Sequence, residues 1–183
     1  MANLNIKYGI IDTGNIGPYI GACAIERGLD MHMFLGESLI TEINVCSSEG
    51  DFVVSNPKIY VDIKAMPRCD VCFVNINTLL EMKVSMMELK NILSSNGILV
   101  LFQKGVNVYE VMDFYPEITV IGGLSWLKPS KTSSNTVQHD FGKLIEVGFY
   151  NVNFNNEDLM KIKLNLIKPF ENSRIQFSFI ENY

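Results

Sequence analysis

Basic charge is scarce in this chain: 15 Lys and Arg stand against 20 Asp and Glu, a formal net charge of −5 over 183 residues. Such a surface offers no positive field to a phosphodiester backbone, so no nucleic-acid partner is expected. Long apolar runs are missing too. The longest, Ile98 to Phe102, falls far short of the roughly 20 residues that span a bilayer, and Met1 to Tyr8 lacks the apolar stretch of a secretory leader. No membrane partner is expected. Cysteine is sparse. Cys23, Cys46, Cys69 and Cys72 cannot build a disulfide scaffold at this length, which fits a reduced, cytoplasmic protein. The two histidines, His32 and His139, have no cysteine or carboxylate at a ligand spacing, so no metal site is expected. What is present is a composition 48% hydrophobic and 19% charged, which is the profile of a folded domain rather than a disordered chain.

The opening reads as strand, tight turn, helix, strand. Ile6 to Ile11 is an apolar run of strand length, and Asp12-Thr13-Gly14-Asn15-Ile16-Gly17 carries turn chemistry. From Ile16 to Glu26 apolar residues recur at helical spacing, with Pro18 tolerable in the first turn and Gly28 placed to end the helix. Met31 to Leu35 is the second strand, which completes a right-handed βαβ unit. Ile40 to Val61 is a looser, β-rich stretch and predicts a small meander or hairpin. Regular order then resumes with a buried strand Val71 to Ile76, a helix Leu79 to Leu93, a turn at Asn96-Gly97, a buried strand Ile98 to Phe102, a short helix Asn107 to Tyr115 and a strand Ile118 to Ile121. Gly123 to Gly148 alternates strand and turn. The expected fold is α/β: a Rossmann-like, mostly parallel sheet with a C-terminal β-hairpin extension and a short helical tail. The domain boundaries are 1–150 for the dinucleotide-binding fold and 151–183 for the tail. Asn151 to Asn156 holds four asparagines and reads as a linker; Asp158 to Lys168 predicts an amphipathic helix stopped by Pro169. Residues 171–183 show no clear pattern.

Three segments together resemble the ketopantoate reductase (2-dehydropantoate 2-reductase) family. They are Thr13-Gly14-Asn15-Ile16-Gly17 after the first strand, Leu99-Val100-Leu101-Phe102-Gln103-Lys104-Gly105-Val106-Asn107, and Val120-Ile121-Gly122-Gly123-Leu124 leading to Val137-Gln138-His139 and Gly142-Lys143-Leu144. The resemblance runs over roughly residues 6 to 148 and implies NADPH-dependent reduction of 2-dehydropantoate or a related 2-keto acid, an oxidoreductase of pantothenate biosynthesis. It implies that Thr13, Gly14, Asn15, Ile16 and Gly17 face the cofactor pyrophosphate, where helix-start N–H groups hold anions. It also implies that Asn75, Ile76, Lys104 and Gly105 line the nicotinamide side. A homodimer is a further expectation.

Four positions depart from the family pattern: Asp12 for the first glycine of the turn, Gly36 for the basic residue after strand two, Asn77 for a lysine, and Lys104 for an asparagine. Gly36 and Glu37 favour NAD over NADP, since a glutamate accepts from a free ribose hydroxyl and repels a phosphate. Asp12 counts against binding of either, because a like charge at about 4 Å in an effective dielectric of about 20 costs on the order of 4 kcal/mol. The 35 residues after Gly148 are too few for the family's catalytic C-terminal domain. The expected chain is therefore truncated and weak or inactive on its own, with no catalytic residue assigned; the alternative is a non-catalytic nucleotide-binding or protein-interaction module. Ile11-Asp12-Thr13-Gly14 also spells an aspartic protease signature, which the helical pattern after Gly14 argues against. Cys69-Asp70-Val71-Cys72 leads into a strand, where an offset of three points side chains to opposite faces, so these read as buried structural cysteines and not a redox pair.

Overall fold

The N-terminal βαβ unit forms as its periodicity predicts: strand β1 (Lys7–Asp12), helix α1 (Ile16–Glu26) and strand β2 (Asp30–Phe34). Gly28, at φ 76°, takes the left-handed conformation that ends α1, and the Gly28 and Leu29 N–H groups donate back to Ile25 and Ala24 at 2.8 and 3.0 Å. The computed structural model describes residues 6–12, 14–36, 40–75, 88–102, 113, 117–149 and 155–180. Further strands are β3 (Glu42–Ser47), β4 (Phe52–Ser55), β5 (Lys58–Tyr60), β6 (Cys69–Asn75), β7 (Leu93–Leu101), β8 (Thr119–Ser125), β9 (Ser130–Lys131), β10 (Thr136–His139) and β11 (Leu144–Gly148). Helix α2 (Asn156–Ile162) and strand β12 (Gln176–Ile180) follow.

Eight strands make the main sheet in the order β12-β11-β8-β7-β6-β1-β2-β5. Every neighbouring pair in it is parallel except β11 with β8. The expected hairpin β3–β4 does not join this sheet. It pairs with β10 and β9 in a second sheet ordered β4-β3-β10-β9. Helix α1 lies between the two sheets, which is why Gly17 through Ala24 are all buried instead of showing one apolar stripe. Ile43, Val45, Val54 and Val137 of the small sheet share one core with Ile20, Cys23 and Ala24 of the helix and with Ile10 and Phe73 of the main sheet. The opposite face of the main sheet packs Ile11, Val74, Leu99 and Leu101 against Ile63, Met66, Leu89 and Ile92.

Two expectations about local structure are corrected. Cys69 and Cys72 do not point to opposite faces, because the β6–β7 register shifts between Cys69 and Val71. The irregularity turns Cys69 into the same buried cluster as Cys72, and both sulfurs lie against Gly9, where a Cβ would stand 2.8 Å from Cys72 Sγ and 3.2 Å from Cys69 Sγ. Both remain free thiols. On the partner strand Leu93 pairs with Cys69 and Ile98 with Val71, so the residues around Asn96-Gly97 are an excursion within β7 and not its leading turn. The predicted helix Leu79 to Leu93 ends in helical residues 88–92. Its first part, and most of the helix predicted over Asn107 to Tyr115, lie outside the described residues.

The C-terminal segment is tied into the same core. Asn155 and Asp158 form a reciprocal capping box at the start of α2. The chain then widens into a π-helical turn, Lys163–Ile167, and tightens into a 3₁₀ turn, Lys168–Phe170. Ile162, Leu166, Phe170, Ile175 and Phe177 are buried with Tyr8, Phe73 and Phe102. The Tyr8 hydroxyl donates to the Asn165 carbonyl within that π-helical turn at 2.9 Å. Arg174 forks onto the Glu26 carboxylate at 2.9 and 3.1 Å and stacks over Phe52. Residues 176–180, unassigned from sequence, extend the sheet as β12 alongside β11.

Candidate functional site

Strand order reverses direction around β1. The chain leaves β1 through α1 to β2 on one side, and returns later to β6 on the other. In open parallel sheets the crevice at such a switch point, outside the C-terminal ends of the strands, is where ligands bind. Here the crevice is bounded by Asp12 at the end of β1 and Asn75 at the end of β6, which are direct register partners. The N-terminus of α1 closes it from above.

The residues expected at the pyrophosphate divide by position. Gly14 is half-buried, Asn15 exposed, Ile16 half-buried and Gly17 buried, all at the start of α1. Asn75 stands opposite them. Thr13, Ile76, Lys104 and Gly105 lie outside the described residues, as do Glu37 and Asn77; Gly36 follows β2 at φ 69°. Asn15 is the formal N-cap of α1, yet its side chain makes no capping hydrogen bond. The first-turn donors go elsewhere.

They go to Asp12, which is 1% exposed. The Gly14 N–H donates to Asp12 Oδ1 at 2.7 Å, the Gly17 N–H donates to Asp12 Oδ2, and the Asn75 amide donates to Oδ1 at 2.9 Å. Two backbone N–H groups and one side-chain amide thus converge on a single carboxylate, the arrangement a helix start offers to any anion. Gly17 is required for it: a Cβ there would fall 2.7 Å from Asp12 Oδ2 and 2.9 Å from Ile10 Cγ2. Burial raises the Asp12 carboxyl above its ordinary range, while the Gly17, Gly14 and Asn75 hydrogen bonds and the Lys131 charge pull it down. Beneath the carboxylate, Ile16, Ile20, Phe73 and Phe102 close the space so that no water fits. The sequence reading placed Asp12 against an incoming phosphate; its engagement with the turn itself was missed. The available signal was an aspartate a few residues ahead of a helix start, the residue type that caps such ends.

The other buried polar side chains among the described residues are the two histidines, and the Nε2 atoms of both lack a hydrogen-bond partner. His32 Nδ1 meets the Tyr60 hydroxyl at 2.8 Å and Nε2 lies 3.1 Å from Asp30 Oδ1, a carboxylate contact that spacing alone did not suggest. His139 stacks on Tyr19 with ring centroids 4.1 Å apart. Burial lowers the affinity of both imidazoles for a proton. Among the described residues no three His, Cys, Asp or Glu side chains converge on a position that could hold a metal, and no helix is long and apolar enough to cross a membrane.

Comparison with known proteins bears on this geometry. The sequence profile of the family described as ketopantoate reductase PanE/ApbA matches residues 8–151. A 2-dehydropantoate 2-reductase from Nostoc sp. is 30% identical, the alignment covering 96% of this chain and 56% of the relative. The crystal structure of 2-dehydropantoate 2-reductase from Geobacter metallireducens superposes with a TM-score of 0.78 at 20% identity, over 96% of this chain and 58% of that one. The dimeric ketopantoate reductase of Staphylococcus aureus superposes with a TM-score of 0.68 at 14% identity, over 97% and 56%. At those identities the superpositions speak for the fold. The chain spans somewhat over half the length of these relatives.

Proposed function

Since this chain belongs to the ketopantoate reductase PanE/ApbA family, we propose that it is the nucleotide-binding part of a ketopantoate reductase-like oxidoreductase. Its cofactor is a nicotinamide dinucleotide, and its substrate class is the 2-keto acids represented by 2-dehydropantoate. The observation that carries this reading is the strand, glycine turn and helix start at the β1/β6 switch point. On this reading the segment Thr13 to Gly17 faces the pyrophosphate, and Asn75, Ile76, Lys104 and Gly105 face the nicotinamide. Gly36 and Glu37 favour NADH over NADPH, and the protein works in the cytoplasm, as a homodimer.

When bound, such a cofactor would supply the hydride that reduces the keto carbon. The turn as it stands does not fit a pyrophosphate, because Asp12 already takes the Gly14 and Gly17 N–H groups. These 183 residues are therefore proposed to be weak or inactive by themselves. The carbonyl oxygen of a keto acid also needs a positioned proton donor. Lys104 has the chemistry, yet a lone ammonium misplaced by about 1 Å can lose a hundredfold in rate. The filled turn favours a second reading, a non-catalytic nucleotide-binding or protein-interaction module.

The test is consumption of NADH or NADPH at high protein concentration with ketopantoate and related 2-keto acids, alongside energy transfer from Trp126 to bound cofactor. Expected are turnover below roughly 1 s⁻¹, the low end of ordinary enzymes, and tighter binding of NADH than NADPH. Faster turnover overturns the proposed inactivity, and a preference for NADPH overturns the assignment of Gly36 and Glu37.

A further inference from the structure

We infer that Asp12 is a built-in anion that occupies the phosphate seat of this fold, so that a dinucleotide reaches the glycine turn only when the Asp12 carboxylate is displaced. The inference rests on the proposed nucleotide-binding reading and assigns that site an autoinhibitory contact.

Four observations carry it. The donors that a dinucleotide turn would present to a phosphate, the Gly14 and Gly17 N–H groups, both end on Asp12. A third donor, Asn75 from the neighbouring strand, is aimed at the same carboxylate at 2.9 Å, so the anion is held from both sides of the crevice. Asp12 is 1% exposed and no water fits in the space it closes. Last, Gly17 admits the carboxylate: any side chain there would strike Asp12 before it met a ligand.

A carboxylate and a phosphate oxygen are interchangeable acceptors for such donors, and charge-assisted bonds of this kind are the strong ones. Asp12 carries its negative charge on the strand that leads directly into the turn. It therefore competes without the loss of translational and rotational freedom that a free ligand incurs on binding. A phosphate brought to the occupied turn meets both a like charge and donors already spent.

The experiment is titration of the 183-residue chain and its Asp12→Gly and Asp12→Asn variants with NADH and NADPH, read by Trp126 energy transfer and calorimetry. Asp12→Gly is expected to bind both dinucleotides at least tenfold more tightly than the natural chain. Asp12→Asn, neutral and able to accept through only one atom, should show a smaller gain. In the natural chain the backbone amide resonances of Gly14 and Gly17 should stay in place as NADH is added. Should Asp12→Gly fail to fold, Asp12→Asn and those two resonances carry the test. Equal or tighter binding by the natural chain, with the Gly14 and Gly17 amides shifting, overturns the inference and leaves the cofactor reading standing. Absence of dinucleotide binding by every folded form at millimolar ligand overturns both.

Discussion

At the N-terminal end of the β1–β6 pair, Asp70 receives the Lys7 N–H at 3.0 Å and the Ser94 hydroxyl at 2.8 Å. At the C-terminal end of the same pair, Asp12 receives Gly14, Gly17 and Asn75. The chemical device is the same, a carboxylate satisfying donors at one end of a strand pair. The consequences differ because the donors differ. Those at Asp70 are a strand-entry amide and a hydroxyl at a half-buried position, which water can serve equally well. Those at Asp12 belong to a glycine turn and a helix start, which have a use for any anion that can reach them. One aspartate is a clasp; the other holds a place that a ligand would want.

The largest effect that sharpens this contrast is the loss of Asp12. Asp12→Ala should lower stability in urea denaturation by about 3 kcal/mol, since it strands the buried Gly17 donor and the half-buried Gly14 and Asn75 donors, and added NADH should restore part of the loss by binding the vacated turn. Stability unaffected by the change would break the comparison. Next, Gly17→Ala should cost about 2 kcal/mol through overpacking, and the loss should shrink in an Asp12→Gly background, a coupling of roughly 1 kcal/mol measurable in a double-mutant cycle. Full additivity would show that Ile10, not Asp12, sets the clash. Asp70→Ala should cost only about 1 kcal/mol and leave NADH affinity unchanged.

The smallest expected effect is a pH dependence. Burial raises the Asp12 carboxyl in the folded chain, so the folded state holds that proton more tightly than the unfolded state. The proton-linked part of its contribution is full below the unfolded aspartate pKa and is lost as pH rises through the folded value, with the Gly17, Gly14 and Asn75 hydrogen bonds and the Lys131 charge moderating the loss. The stability of the natural chain relative to Asp12→Asn should therefore fall as pH rises from acid. His32 and His139 act with the opposite sign. Burial depresses both, so the stability they leave intact above the ordinary histidine pKa of about 6.5 is lost as pH drops below it. Thermal melts of the His32→Gln and His139→Gln variants across that range should show a flatter acid limb than the natural chain.

Much of the fold was legible because it depends on local periodicity. Helix α1 begins and ends at the predicted residues, since apolar spacing and Gly28 are local signals. Strand β12 was not legible: Gln176–Ile180 earns its place by lying beside β11, a partner roughly thirty residues back in the chain. The Cys69–Cys72 pair was misjudged because alternation presumes an unbroken register, and a pairing shift is invisible without the partner strand. At the site, the sequence reading singled out Gly14, Gly17 and Asn75, which the structure brings together on Asp12, and it marked Asp12 as foreign to the pattern.

What the sequence by itself determined is a strand, a glycine turn and a helix in that order, with an acidic residue where the turn begins. Only the tertiary structure decided what that acid does. Asp12 acquires its role from Asn75, which stands 63 positions away in the chain, and from a helix enclosed between two sheets. A carboxylate beside a glycine turn can face solvent, a ligand or the turn itself. Burial removes the first choice, and the convergence of three donors favours the last over the second.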